Sequence, residues 1–190
     1  MDSTSISIGS PTSTILAKNS HIHKNMLAFI LLQTLLIGTP QELSAAAESL
    51  HDPHVVYEAG YQNIDYPCGD IPPDQGVCTD VIVRAFKIMG RCLQEEIHEF
   101  RLSQGVSTDK NIDHRRVPNI AAYFASLNME SHHNLEPGDI IWWKLGGADG
   151  INHIGIMLDN GMVMHNIGRG QVADVCPEEY HIHRMYRLPA

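Results

Sequence analysis

The segments Asp139-Ile-Ile-Trp-Trp-Lys-Leu145 and Asn152-His-Ile-Gly-Ile-Met-Leu158 decide the fold class of this chain. Both are short, apolar and rich in β-branched or aromatic residues, which is typical of buried strands. The turn sequence Asp159-Asn-Gly161 then leads into a third strand, Met162–Ile167, and residues 180–188 form a fourth. Strands that follow one another with no helix between them predict an antiparallel sheet.

Helical patterns occur upstream of these strands. Apolar residues recur at helical spacing in residues 78–90, 92–103 and 118–129. Gly90 suits the end of the first helix, and Pro118 suits the start of the third. Helices followed by a sheet, without alternation of the two, predict an α+β fold with N-terminal helices packed on a C-terminal antiparallel sheet.

Residues 1–47 are predicted to be a leader with a signal peptide. The apolar run Met26–Ile37 precedes Leu43-Ser-Ala-Ala-Ala47, which contains an Ala-x-Ala cleavage signal. The run is shorter than the roughly 20 residues of a membrane-spanning helix. We therefore expect a bacterial periplasmic or secreted protein whose single domain spans residues 48–190. The alternative is that the run forms a helix of the domain.

Charge and composition limit the partners of the chain. It has 13 Lys and Arg against 22 Asp and Glu, a formal charge of −9, and 43% of its residues are hydrophobic. An acidic excess disfavours nucleic acids and anionic membrane surfaces as partners. We expect a monomer that binds no nucleic acid, needs no cofactor and keeps no membrane span after cleavage of the signal.

Four cysteines lie at positions 68, 78, 92 and 176. Export would expose them to oxidising conditions, in which disulfides form. Four cysteines allow three complete pairings, and the sequence does not choose among them.

Cys78 is the candidate nucleophile. It ends a turn-rich loop and begins a predicted helix, so that free backbone N–H groups would surround its sulfur. Their partial positive charge would lower the pKa of the thiol below about 8.5 and could also form an oxyanion hole. The alternative is a buried structural thiol.

His153 and His165 are its candidate partners. Strand alternation places His153 on the opposite face from Ile154 and Ile156, and the tight turn would bring His165 close to it across the hairpin. A catalytic thiol needs a basic histidine, and that histidine needs an orienting group. The alternative is a chance placement among the 12 histidines of the chain.

The order of these motifs resembles the NlpC-type papain-like cysteine peptidases. The segments that match are Gly76–Asp80, Pro137–Ile141, His153–Ile156 and His165–Gly168. Over about residues 55–188 the chain resembles more closely an uncharacterised family of exported bacterial proteins, a domain of unknown function. The segments that carry this second resemblance are Tyr66–Asp70, Gly76–Asp80, Asn111–Asn119, Pro137–Ile140 and His165–Gly168.

The resemblance implies a papain-like fold with Cys78 as nucleophile, His153 as general base and His165 as the residue that orients it. It also implies a substrate class, the peptide or amide bonds of cell-wall peptides. Cys68 departs from the family pattern, in which a small residue such as glycine is usual. It could pair with Cys92 or Cys176, or interfere with Cys78.

The polar segment Asp113-His-Arg-Arg116 is the candidate substrate-binding region. Arginine binds carboxylates in a bidentate manner, and peptidoglycan stem peptides carry free carboxylates. The alternative is a solvated loop or a structural ion pair of an arginine with Asp113. Asp80 flanks the thiol and is a further candidate, although a capping role suits its position better.

Two other functions use the same residues. Cys78, His153 and His165 could bind zinc, with water as the fourth ligand. The domain could also be an inactive papain-like module that binds cell-wall peptides or a periplasmic partner.

Overall fold

The computed structural model describes residues 38–175 and 181–189. The predicted apolar run Met26–Ile37 and Cys176 lie outside the described residues. Within the described residues, no helix is long and apolar enough to cross a membrane.

The described elements comprise helices, a short parallel strand pair and a larger sheet. In chain order the bounds are α1 (Pro40–Glu48), β1 (Val56–Tyr57), β2 (Gln75–Gly76), α2 (Cys78–Ile88), α3 (Leu93–Ser103), a 3₁₀ turn (Asp113–Arg115), α4 (Val117–Ser126), β3 (Glu130–Ser131), β4 (Ile140–Leu145), β5 (Ile151–Met157), β6 (Met162–Asn166), β7 (Gln171–Val175) and β8 (His181–Tyr186).

The larger sheet has the strand order β3-β8-β4-β5-β6-β7, and all its pairs are antiparallel. This arrangement confirms the predicted α+β class, with α2, α3 and α4 close to their expected positions. Strand β7 was not predicted, because Gln171-Val-Ala-Asp-Val175 is short and follows the glycines of Gly168-Arg-Gly170.

The two faces of the sheet bury different clusters. Ile154 and Ile156 of β5 join the main core with the helices, whereas Met157 packs with Trp143 and other residues on the opposite face. The ring of His153 stacks on Trp143 at a centroid distance of 5.6 Å, so it lies on that second face. The predicted alternation along β5 is therefore confirmed.

Helix α1 is an ordered part of the core. Thr39 caps it in a reciprocal arrangement with Glu42, and Leu43 and Ala47 are completely buried. The helix contains the residues of the predicted cleavage signal. Protein cleaved after Ala47 would lack the buried side chains of α1, and protein cleaved further upstream would keep them.

The Pro-Gly-Asp motif before β4 has a structural explanation. Gly138 has φ +85°, and a Cβ there would lie 2.0 Å from the carbonyl oxygen of Pro40. Asp139 is fully buried, accepts a hydrogen bond from the backbone N–H of Glu136 at 2.8 Å and pairs with Arg187 at 2.7 Å. Glycine thus permits the close approach of α1, and the aspartate anchors the turn into the sheet.

We expect Leu43→Ala to lower the free energy of unfolding by about 2–3 kcal/mol, because it leaves a cavity under α1. Urea denaturation of protein that retains α1 measures the change. Gln41→Ala, on the exposed face of the same helix, is the control and should change stability by less than about 0.5 kcal/mol. Equal stabilities of the two variants would contradict the packing described for α1.

Candidate functional site

Cys78 is the first residue of α2 and is 5% exposed. The loop before it turns into the helix at Val77, whose backbone N–H donates to Oδ2 of Asp80 at 2.7 Å. This is the capping role expected of Asp80, and it fixes the backbone on both sides of the sulfur.

The three cysteines that the structure describes comprise a disulfide and a free thiol. Cys68 and Cys92 form a disulfide, and Cys78 is free. The unusual Cys68 is therefore paired and does not interfere with the candidate nucleophile.

Three donors surround the sulfur of Cys78. The backbone N–H groups of Thr79 and Ile154 and the hydroxyl of Tyr57 all donate to it, and each lowers the pKa of the thiol. Burial has the larger and opposite effect, and it raises the pKa of Cys78 to about 11. The prediction of a lowered pKa was wrong, because loss of water outweighs the helix N-terminus in a site this buried.

His153 and His165 are in direct contact, as the hairpin predicted. Nε2 of His153 lies 2.8 Å from Nδ1 of His165, and Nε2 of His165 lies 3.2 Å from Oδ2 of Asp174. His153 is 2% exposed. Burial, with a smaller contribution from His165, lowers the pKa of His153 to about 3, so the imidazole is neutral near pH 7.

The sulfur of Cys78 contacts the strand that carries His153. Ile154, whose N–H donates to Cys78, directly follows His153 in β5. Gly155 makes room for the second ring, because a Cβ at that position would lie 3.1 Å from Cβ of His165. The contact with Ile154 thus places Cys78 beside the strand that carries His153, at the residue that follows the imidazole in sequence.

The arrangement does not suit the zinc site considered from the sequence. The two imidazole nitrogens that face each other share a hydrogen bond, and a metal would have to displace it. Among the described residues, the ligand atoms of Cys78, His153 and His165 do not form a group within 4.8 Å of one another.

A groove of about 480 Å³ opens at Cys78. Its lining includes Tyr57, Arg115, Arg116, Asn119 and Asn152. Arg116 is exposed, and no described residue forms an ion pair with it, so its guanidinium is available to a ligand in the groove. Of the predicted substrate-binding residues, Arg116 is thus the best placed.

The side chain of Arg115 is held in a buried ion pair. Its guanidinium binds both carboxylate oxygens of Asp80, at 3.0 and 3.1 Å, and also the carbonyl oxygens of Glu58 and Gly60. The side chains of Arg115 and Asp80 are 2% and 4% exposed. The ion-pair alternative therefore describes Arg115, but its partner is Asp80 and not Asp113.

The other two members of the segment are also buried. Asp113 pairs with Arg101 at 3.1 Å and accepts from the side-chain amide of Asn119 at 3.1 Å. His114 is 2% exposed, and burial lowers its pKa to about 4. Neither side chain lines the groove, so both hold the loop that presents Arg116.

Arg84 holds the loop that precedes Cys78. Its guanidinium pairs with Asp70 at 3.0 Å and donates to the carbonyl oxygens of Pro72 and Gln75. It also donates to the side-chain oxygen of Gln171, the first residue of β7, at 2.9 Å. One side chain of α2 thus connects the loop before Cys78 to the strand that carries Asp174.

Residues 44–188 match the family described as a domain of unknown function, DUF1287. The chain belongs to this family. A relative, the uncharacterised protein YijF of Escherichia coli K12, is 34% identical over 134 residues, which are 60% of this chain and 64% of YijF. The match therefore spans less than two thirds of the length of that relative.

A solved structure similar to the DUF1287 chain is that of NlpC2 from Trichomonas vaginalis. The TM-score is 0.44 at 15% sequence identity, and the match covers 78% of this chain and 46% of the other.

Tyr57 and Asp174 are site residues of the DUF1287 chain that sequence reasoning missed. Tyr57 lies in a strand of two residues, Val56–Tyr57, which carries no periodicity. Asp174 lies in β7, so its position relative to His165 could be inferred only once that strand had been recognised.

Acid is expected to destabilise the DUF1287 chain through His114 and His153. Both are neutral when folded, with pKa values of about 4 and about 3, whereas an unfolded histidine titrates near 6.5. Their contribution is present above pH 6.5 and is lost as the pH falls toward 4 for His114 and toward 3 for His153, at a cost of about 1.5 kcal/mol each between pH 6.5 and 5. Urea denaturation across this range measures the loss.

His114→Gln should reduce this pH dependence, because it removes one of the two histidines whose pKa is lowered by burial. An unchanged slope in His114→Gln would contradict the neutral, buried state of that side chain.

Proposed function

We propose that this chain is an exported cysteine hydrolase that cleaves a peptide or amide bond, with Cys78 as nucleophile, His153 as base and His165 as its orienting residue. The observation that carries the proposal is the imidazole pair, in contact at 2.8 Å, together with a free thiol that accepts from Ile154, the residue after His153 in β5. That thiol lies at the start of a helix and lines a groove. The same three roles define thiol-histidine hydrolases on several folds.

The reaction begins when His153 accepts the proton of Cys78 as the sulfur attacks the carbonyl carbon. The resulting tetrahedral oxyanion collapses to a thioester while His153 gives its proton to the departing amine. Water, deprotonated by His153, then attacks the thioester and releases the acid, and the proton returns to the sulfur. The Tyr57 hydroxyl and the backbone N–H groups near the sulfur are the available donors to the oxyanion.

The thiol of Cys78 and the imidazole of His153 are both uncharged before the reaction. The pKa values of about 11 for Cys78 and about 3 for His153 favour a neutral thiol and a neutral imidazole. Proton transfer therefore accompanies attack on the carbonyl, since a preformed thiolate–imidazolium pair would be costly in this environment. The three donors to sulfur reduce the cost of that step.

The proposed substrate class is the stem peptide of peptidoglycan. An exposed arginine in the groove, Arg116, suits the free carboxylates of such peptides. The Cys68–Cys92 disulfide agrees with an oxidising compartment such as the periplasm or the cell exterior. The order of motifs that resembles NlpC-type peptidases points to the same substrates.

A second candidate function is a binding module for cell-wall peptides without cleavage. The raised pKa of Cys78 favours it, because a buried neutral thiol reacts slowly. In this alternative the groove and Arg116 keep their role in recognition, and the three catalytic residues are structural.

Incubation of the protein with purified peptidoglycan separates the two candidates. The hydrolase releases soluble fragments whose masses identify the bond that is cleaved. A binding module sediments with the wall material and releases none. Absence of both sedimentation and fragments would contradict peptidoglycan as the ligand.

A further inference from the structure

We propose that Asp174 is a positioning residue that fixes the proton positions on both imidazoles and leaves Nδ1 of His153 unprotonated. The inference deepens the proposed function, because Nδ1 is the nitrogen of His153 that His165 does not occupy. Its structural content, the tautomer of each ring, can be tested whether or not the chain is a hydrolase.

The fold places Asp174 at the far end of the imidazole pair. In the register of β6 and β7, His165 is opposite Val172, and Asp174 lies two residues further along the same face. This diagonal position brings its carboxylate to the outer edge of the His165 ring, at 3.2 Å from Nε2. His165 is 3% exposed and the side chain of Asp174 is 35% exposed, so the chain of contacts runs from the interior to the surface.

The proton positions on both imidazoles follow from the carboxylate of Asp174, which ends this series of contacts. A carboxylate can only accept a hydrogen bond, so Nε2 of His165 must carry a proton. A neutral imidazole has one N–H, and Nδ1 of His165 is therefore an acceptor. The contact of 2.8 Å then requires a proton on Nε2 of His153, and its Nδ1 keeps a lone pair.

If both rings carried their proton on Nδ1 instead, His153 would have no lone pair on Nδ1 with which to accept a proton. With a proton on Nδ1 of His165, that ring would donate to Nε2 of His153, and the proton of His153 would lie on Nδ1. The lone pair on Nε2 of His165 would then face the carboxylate of Asp174. Asp174 excludes this arrangement, and neither histidine could exclude it alone.

Arg169 holds the carboxylate in place. It donates to Oδ2 of Asp174 at 2.9 Å, the same oxygen that faces His165, and its own side chain is 69% exposed. An asparagine at position 174 could turn its oxygen toward both donors and keep the acceptor. An alanine would remove the acceptor.

Proton-detected ¹⁵N spectra of histidine-labelled protein test the inference, with the two rings assigned from His153→Gln and His165→Gln. In the wild type both rings should carry their proton on Nε2. In Asp174→Ala the His165 ring should become a mixture of tautomers and the Nδ1 signal of His153 should shift accordingly, whereas Asp174→Asn should keep the wild-type pattern. A wild-type pattern in Asp174→Ala, or a His153 ring protonated on Nδ1 in the wild type, would overturn the inference.

Hydrolysis gives the second readout. Where the wild type cleaves peptidoglycan, Asp174→Ala should lower the rate about tenfold and Asp174→Asn by less than about threefold, since general-base catalysis depends on the protonation of His153. Equal losses in the two variants would assign Asp174 a merely structural role and overturn the inference. If the wild type releases no fragments but the tautomers respond as stated, the hydrolase proposal fails and the positioning role of Asp174 stands.

Discussion

Cys78→Ala is expected to abolish release of peptidoglycan fragments, with a fall of at least about a thousandfold in rate. Removal of the nucleophile leaves only binding and the donors to the oxyanion, which accelerate hydrolysis far less than the complete machinery does. Mass analysis of the soluble products of wild-type and variant digests measures the effect. The same digests would identify the bond from the new termini.

The matched control is Cys78→Ser, which keeps a donor and acceptor of similar size beside Tyr57. It should fold as the wild type does and remain almost inactive, because a neutral imidazole is a poor base for an alcohol that is less acidic than a thiol. Thermal unfolding of both variants establishes that the loss is chemical. Fragments of equal yield from the wild type and from Cys78→Ala would remove the sulfur from the mechanism.

Asp80→Ala is expected to cost about 3–5 kcal/mol in the free energy of unfolding. The substitution leaves the guanidinium of Arg115 buried without its carboxylate partner, and a buried unpaired charge is strongly destabilising. It also removes the acceptor for the backbone N–H of Val77, at the entry to α2. Urea denaturation measures the loss, provided that the variant is compared at a pH at which the wild type is fully folded.

The control for this prediction is an exposed ion pair. Arg184 and Glu130 are paired with side chains 51% and 34% exposed, so Glu130→Ala should cost less than about 1 kcal/mol. The double variant Asp80→Ala with Arg115→Met should recover part of the loss, because it removes both charges. A cost at Asp80 no greater than that at Glu130 would contradict a buried, structural pair.

Much of the site could be predicted from local pattern. Alternation along Asn152–Leu158 placed His153 away from the main core, and the hairpin turn placed His165 beside it. The position of Cys78 before a helical repeat identified the start of α2. These predictions succeeded because each depends on the spacing of residues within one element or across one tight turn.

The rest depends on long-range packing. Burial of the first turn of α2 raises the pKa of Cys78, and the spacing of apolar residues in the sequence does not indicate how deeply that turn is buried. Arg115 pairs with Asp80, 35 positions away in the chain. The small-residue motif Leu43-Ser-Ala-Ala-Ala47 suits a cleavage site and a tightly packed helix such as α1 equally well, so the sequence alone does not show how this segment packs.

The guanidinium of Arg84 has a consequence for how variation in this family should be judged. Through Pro72 and Gln75 it fixes the segment before Cys78, and through Gln171 it fixes the start of β7, the strand that contains Asp174. Arg84 thus joins both segments, and a change at this position would disturb the surroundings of Cys78 and of Asp174 together. Such a variant would resemble one that lacks a residue of the candidate site, although Arg84 does not line the groove at Cys78.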